Sequence, residues 1–172
     1  MGVKLVASSG GSVELVPTNT ASNFTVTVPA KTGTMAMDGP AFSAYPSGTQ
    51  SLTTNTWTKL QYNTEEFDTN SNYDSATNYR FTPTVAGYYS FTAAVSVGTI
   101  VTRAILSFYK NGSAFKTLDM AYAVNNYGGA ALIYLNGSTD YVELYAFLTG
   151  TTPSVGAGPA AAFFQAAMVR SA

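Results

Sequence analysis

Three carboxylates, Glu65, Glu66 and Asp68, crowd into four consecutive positions and form the only cluster of acidic side chains in the sequence. Paired carboxylates facing each other across a cleft hydrolyse glycosidic bonds, and a trio of oxygen donors can hold calcium. The spacing here is not that of a calcium loop, and neighbouring acids in a connector more often make a solvated polar edge. The chain has no histidine and no cysteine, so the usual general base and the commonest metal ligand are both missing. Catalytic residues, a metal site and a cofactor are therefore not expected.

The remaining candidates are turns and loops. Asp140 is suited to turn hydrogen bonding, and Gly128-Gly129 does not open a helix, so it is not a phosphate cradle. Asn111-Gly112-Ser113 and Asn136-Gly137-Ser138 fit a glycosylation sequon, but each reads as a hairpin turn, and the first residues do not resemble a secretory signal. Tyr73, Tyr79, Tyr122, Asn125, Asn126 and Tyr127 gather flat aromatic faces and amide groups in loops. Such chemistry suits a sugar or protein surface; the alternative is that these residues cap the fold and fill contacts between subunits. Trp57 reads as a core residue.

The polypeptide that must position these groups is poor in charge. Charged residues make up 10% and the formal net charge is -1, against the roughly 25% charged residues of typical soluble domains. With no basic run, nucleic acid is not an expected partner. No apolar stretch approaches the ~20 residues of a membrane span, so membrane insertion is not expected.

From Ala41 onward the signals are all β, with runs rich in Val, Thr, Tyr and Phe separated by turn residues. The expected strands are 41–45, 57–62, 79–81, 88–97, 104–110, 114–118, 130–135, 141–147 and 162–170, with hairpins at Asn111-Gly112 and Asn136-Gly137. No window has helical periodicity. Residues 104–110 and 141–145 are nearly amphipathic, whereas 81–97, 130–135 and 163–169 leave almost no polar face. A strand with two apolar faces needs two covers. One is the sandwich core, and the economical second is another copy of the chain.

The order of several motifs supports a family resemblance. AFSA at 41–44, Tyr62-Asn63, Asn72-Tyr73-Asp74, Phe81-Thr82, the G-x-Y-x-F of Gly87, Tyr89 and Phe91, Lys110-Asn111-Gly112, LIYLNGSTDYVEL at 132–144 and the aromatic strand from Phe163 occur in sequence. Together they resemble the globular heads of complement and tumour-necrosis-factor-like proteins over roughly residues 41–170. Asn78 stands where the family has Gly, with one residue extra, and Pro83 follows Thr82 directly. The resemblance implies a jelly roll of about ten antiparallel strands that forms tight homotrimers. It also puts the three apolar runs in one inner sheet facing a threefold axis. The expected trimer contacts are Tyr89, Phe91, Tyr134, Phe163 and Phe164.

Residues 1–39 differ, with two short β-like runs at 13–16 and 24–28 and turn-rich intervening sequence. They resemble the connectors preceding such heads in bacteriophage fibre and appendage proteins. The expected organisation is an attachment arm or stalk of short β structure over 1–39 and a jelly-roll head over 40–172. The expected function is non-enzymatic: a homotrimeric short fibre or capsid-decoration protein of a phage virion, assembled in the bacterial host cytoplasm. Residues 1–39 would bind a capsid or tail protein, and the head would be available to a host-surface glycan or protein. The alternative is a free or cell-surface trimeric lectin.

Overall fold

The computed structural model describes residues 3–6, 9–15, 39–98, 101–121 and 125–172. The chain divides into two compact units, Met1–Gly33 and Thr34–Ala172, a boundary six residues before the expected one at 39/40. In the first, β1 (Val3–Val6) and β2 (Ser12–Leu15) pair antiparallel. The run expected at 24–28 lies outside the described residues.

The second unit is all-β in its described residues. Its strands are β3 (Ala41–Tyr45), β4 (Gln50–Ser51), β5 (Trp57–Lys59), β6 (Thr64–Asp68), β7 (Tyr73–Asp74), β8 (Arg80–Phe81) and β9 (Ala86–Ser96), followed by β10 (Val101–Lys110), β11 (Ser113–Ala121), β12 (Asn126–Asn136), β13 (Val142–Gly150), β14 (Ser154–Val155) and β15 (Phe163–Ser171). One sheet runs β12-β9-β15-β3-β6; the other runs β11-β10-β13-β8-β7, with β5 also paired to β13. The three apolar runs of the sequence are thus adjacent strands of a single sheet, as expected. Two antiparallel sheets over one core make a jelly-roll sandwich.

Aromatic side chains from both sheets fill the space between them. Phe42 stacks on Tyr73 and Phe81 at ring-centroid distances of 4.6 and 4.7 Å, and Phe91 lies 5.5 Å from Phe108. Burying each such ring contributes roughly 1.5–3 kcal/mol. Stacked and edge-on contacts add about 0.5–1.5 kcal/mol a pair.

Turn chemistry closes one expected hairpin and refutes the other. Asn111 and Gly112 have φ of 53° and 77°, the paired positive angles of a tight two-residue turn joining β10 to β11. Asn136-Gly137 instead leads from β12 to β13, which belong to different sheets. There the Asn136 side-chain oxygen accepts the N–H groups of Ser138, Thr139 and Asp140, while a Cβ on Gly137 would stand 2.3 Å from the Ala86 nitrogen. Asn-Gly here makes a crossover, because a polar side chain organises the loop and only glycine fits beneath it.

Candidate functional site: the outer face of the five-stranded sheet

Strict alternation along β9 decides which side chains this sheet presents. Tyr89, Phe91, Ala93 and Val95 point into the core at 0–1% exposure, so Tyr88, Ser90, Thr92, Ala94 and Ser96 point outward. Register sets Tyr134 of β12 opposite Tyr88, Leu132 opposite Ser90 and Ala130 opposite Thr92. On the other flank Ala167 of β15 faces Ser90, and Gln165 faces Thr92. Gln165 apart, the middle of the outer face is consequently a floor of small side chains.

Large apolar groups stand at the ends of that floor. Tyr88 is 42% exposed, Leu132 57%, Tyr134 43% and Val169 55%, and the Tyr88 and Tyr134 rings are 5.4 Å apart. With residues 170–172 they line a shallow groove of about 550 Å³. Towards β6, Phe67 is 51% exposed and borders a second groove of about 290 Å³ with Ser90, Thr92, Gln165 and Ala167. Four such groups on three adjacent strands form a contiguous apolar patch, which marks an interaction surface rather than random scatter.

The expected contact residues divide between the two faces. Tyr134 lies on the outer face, and Phe163, half-buried, shares the outward phase of β15. Tyr89, Phe91 and Phe164 are buried in the core of a single chain, so their side chains do not reach any axis. The physical reason is phase. The outer face of β9 is mixed, not apolar throughout, since Ser90, Thr92 and Ser96 share it, and Tyr88 rather than Tyr89 is the outward tyrosine. Tyr88, Leu132 and Val169 were missed. Tyr88 follows from a period of two counted from Gly87 and Phe91, whereas Leu132 and Val169 lie on β12 and β15, the latter at a register shift between Met168 and Arg170.

The loop set expected to form a binding surface is likewise split. Tyr73 and Tyr127 are each 6% exposed and belong to the core. Burial pushes the Tyr73 phenol well above its ordinary range, with Glu65 and Asp74 adding to the shift, and its hydroxyl donates to the Tyr62 carbonyl at 2.8 Å. Tyr79 is half-buried with φ of 49°; Asn125 and Asn126 are exposed; Tyr122 lies outside the described residues. Two of the five described members are thus buried rather than displayed on a loop surface.

Glu65, Glu66 and Asp68 lie on β6, the edge strand of the sheet, not in a connector. Each has a structural partner. Glu66 accepts from the Ser43 hydroxyl at 2.6 Å and Glu65 from Ser75 at 2.6 Å, while Asp68 accepts the Tyr73 N–H at 2.7 Å. Charge along an exposed edge also deters pairing with a stray strand. Among the described residues no group of three or more His, Cys, Asp or Glu side chains could hold a metal ion. Asp140 joins the turns: it accepts from the Asn111 amide at 2.8 Å and pairs with Lys110 at 2.8 Å. These contacts, the Asn111 bond first, hold its carboxyl below the ordinary value.

The outer face of the six-stranded sheet is built differently. Tyr109 and Tyr145 stack at 3.9 Å, and Trp57 stands 5.8 Å from Tyr109 and 5.6 Å from Phe147. Glu143, 5% exposed at its side chain, pairs with Lys59 at 2.5 Å. Trp57, expected in the core, is 37% exposed on this face, because at the start of a three-residue strand it is flanked only in part, by Tyr109 and Phe147.

No protein-family model and no curated protein matches the sequence. Solved structures do match. Murine APRIL superposes with a TM-score of 0.61 at 12% identity, covering 77% of this chain and all of its own, 100%. The globular domain of zebrafish complement 1qA gives 0.58 at 20% identity, covering 78% and 100%. Eiger TNF from S. frugiperda gives 0.51 at 11%, covering 78% and 93%. Shared architecture at such low identity, with the sheet orders above, establishes that the head of this chain has the tumour-necrosis-factor-like and complement-head jelly-roll fold.

Proposed function

We propose that this protein is a non-enzymatic homotrimer, the head of a short fibre or capsid-decoration protein of a bacteriophage, fixed to the particle by residues 1–39. One observation carries the self-association: Tyr88, Leu132, Tyr134 and Val169 lie exposed and contiguous on adjacent strands of one sheet. Covering such side chains contributes roughly 25 cal/mol per Å² of apolar surface. A closed ring of three needs two unlike surfaces on every protomer. The tyrosine-lined groove at one end of the face and the groove beside Phe67 supply a pair. Support for attachment comes from the connector-like sequence of the first 39 residues, which include a compact unit of their own. The fold of complement and tumour-necrosis-factor-like heads, together with the lack of histidine and cysteine, favours binding over catalysis.

The experiment is paired. In Tyr134→Lys the protomer stays folded and sediments as a monomer, since a charge in a dry contact costs several kcal/mol without a partner. A chain of residues 40–172 stays trimeric yet is absent from purified particles. Trimers of Tyr134→Lys, or particles carrying the truncated chain, contradict the reading.

A further inference from the structure

The six-stranded sheet presents the second aromatic surface of the head, and its chemistry is unlike the first. Trp57, Tyr109 and Tyr145 form a continuous strip, with Phe147 beside the tryptophan. Lys59 neutralises Glu143 at the base of the strip, and Arg103 lies over the Phe147 ring at 5.6 Å. A strip of flat rings with polar tips over an internally paired charge offers face-on apolar contact and hydroxyl hydrogen bonds.

We propose that this strip is a glycan-binding site, with an uncharged polysaccharide chain stacked on Trp57 and running along Tyr109 and Tyr145. The area on offer selects the occupant. A stable protein interface buries about 800 Å² on each side, whereas here Trp57, at 37% exposure, is the large apolar side chain that this strip leaves open. A single ring presents at most ~150–250 Å², which matches the face of a sugar. The Lys59–Glu143 pair leaves no net charge at the base of the strip, which favours an uncharged partner there. The site specifies how the proposed head would touch a host surface. It uses strand positions of the opposite sheet, not the loop residues, and does not require the trimer.

Trp57 is the sole tryptophan of the chain, so its fluorescence reports directly on the ring. Full-length protein is titrated with dextran, xylan and mannan and screened on an array of neutral glycans, with polygalacturonate as the acidic comparison. The expected result is a saturable change in tryptophan emission with at least one neutral glycan, unaltered between about 50 and about 500 mM salt. Affinity electrophoresis in that glycan should show binding lost in Trp57→Ala, and weakened about tenfold in Tyr109→Ala. Trp57→Phe, which keeps a ring, should retain partial binding and covers the case in which the alanine variant misfolds. Overturning results are no response to any neutral glycan, undiminished binding in folded Trp57→Ala, or binding to polygalacturonate alone that salt abolishes. Sedimentation of the same samples separates the two ideas. A trimer that binds no glycan defeats this site alone, and a glycan-binding monomer defeats the self-association alone.

Discussion

The two outer faces of the sandwich carry similar aromatic residues and treat them in opposite ways. On the six-stranded sheet Tyr109, Tyr145, Phe147 and Trp57 shelter one another, and Lys59 and Glu143 close on themselves. On the five-stranded sheet Tyr88 and Tyr134 meet each other, with Lys110 5.8 Å from the Tyr134 ring, and Leu132 and Val169 stand open beyond a floor of alanine, serine and threonine. Self-sheltered rings leave little apolar surface for a protein partner. Open ones beside a flat floor of small groups leave room for a backbone to approach closely. The difference teaches that the number of aromatics on a face says less about association than what already covers them.

The sharpest way to break the comparison is to substitute inside the sheet instead of on it. Phe91→Asp places a carboxylate among Phe81, Phe108 and Phe164 and should cost at least about 5 kcal/mol, leaving no folded protomer by circular dichroism. A folded, dissociated Phe91→Asp monomer would put that side chain on the surface and reverse the assignment of faces. On the six-stranded face, Lys59→Ala leaves the nearly buried Glu143 without its partner and should cost about 2 kcal/mol in denaturant unfolding. Sedimentation should not change, because the proposed contact face lies on the other sheet.

Much of this contrast was legible in the residues. β3 runs from Ala41 to Tyr45 as expected, and the Asn111-Gly112 turn follows from two residues that accept positive φ. Grouping β9, β12 and β15 in one sheet followed from their apolar runs and from the family resemblance. What was harder to read was the phase within those runs. In Tyr88-Tyr89-Ser90-Phe91 either tyrosine satisfies a hydrophobicity count, and it takes the alternation of Ser90, Thr92 and Ser96 with Phe91, Ala93 and Val95 to fix which one turns inward. Of the four two-residue strands, β8 falls within the expected run 79–81, whereas β4, β7 and β14 are too short to leave any period. β6 was hidden by its acids, which read as a loop but occupy a sheet edge. Tyr73 and Tyr127 looked like loop residues because their burial depends on the opposite sheet.

A smaller effect sharpens the inward half of the comparison. Burial raises the Tyr89 phenol from 10.0 to about 12, and its hydroxyl donates to the Val85 carbonyl at 2.6 Å. The folded state keeps the neutral form while the unfolded chain ionises. Stability from this group is therefore complete below pH 10 and lost as pH rises from 10 towards about 12. Tyr89→Phe should make the alkaline unfolding curve shallower over that range.

Sedimentation equilibrium of the intact protein beside a Leu132→Asp/Val169→Asp double variant tests the self-association most directly. Three times the protomer mass for the first, and a folded species of one protomer mass for the second, is the outcome that the exposed patch requires. An intact protein that sediments as a single protomer, or a double variant that keeps the larger mass, contradicts it.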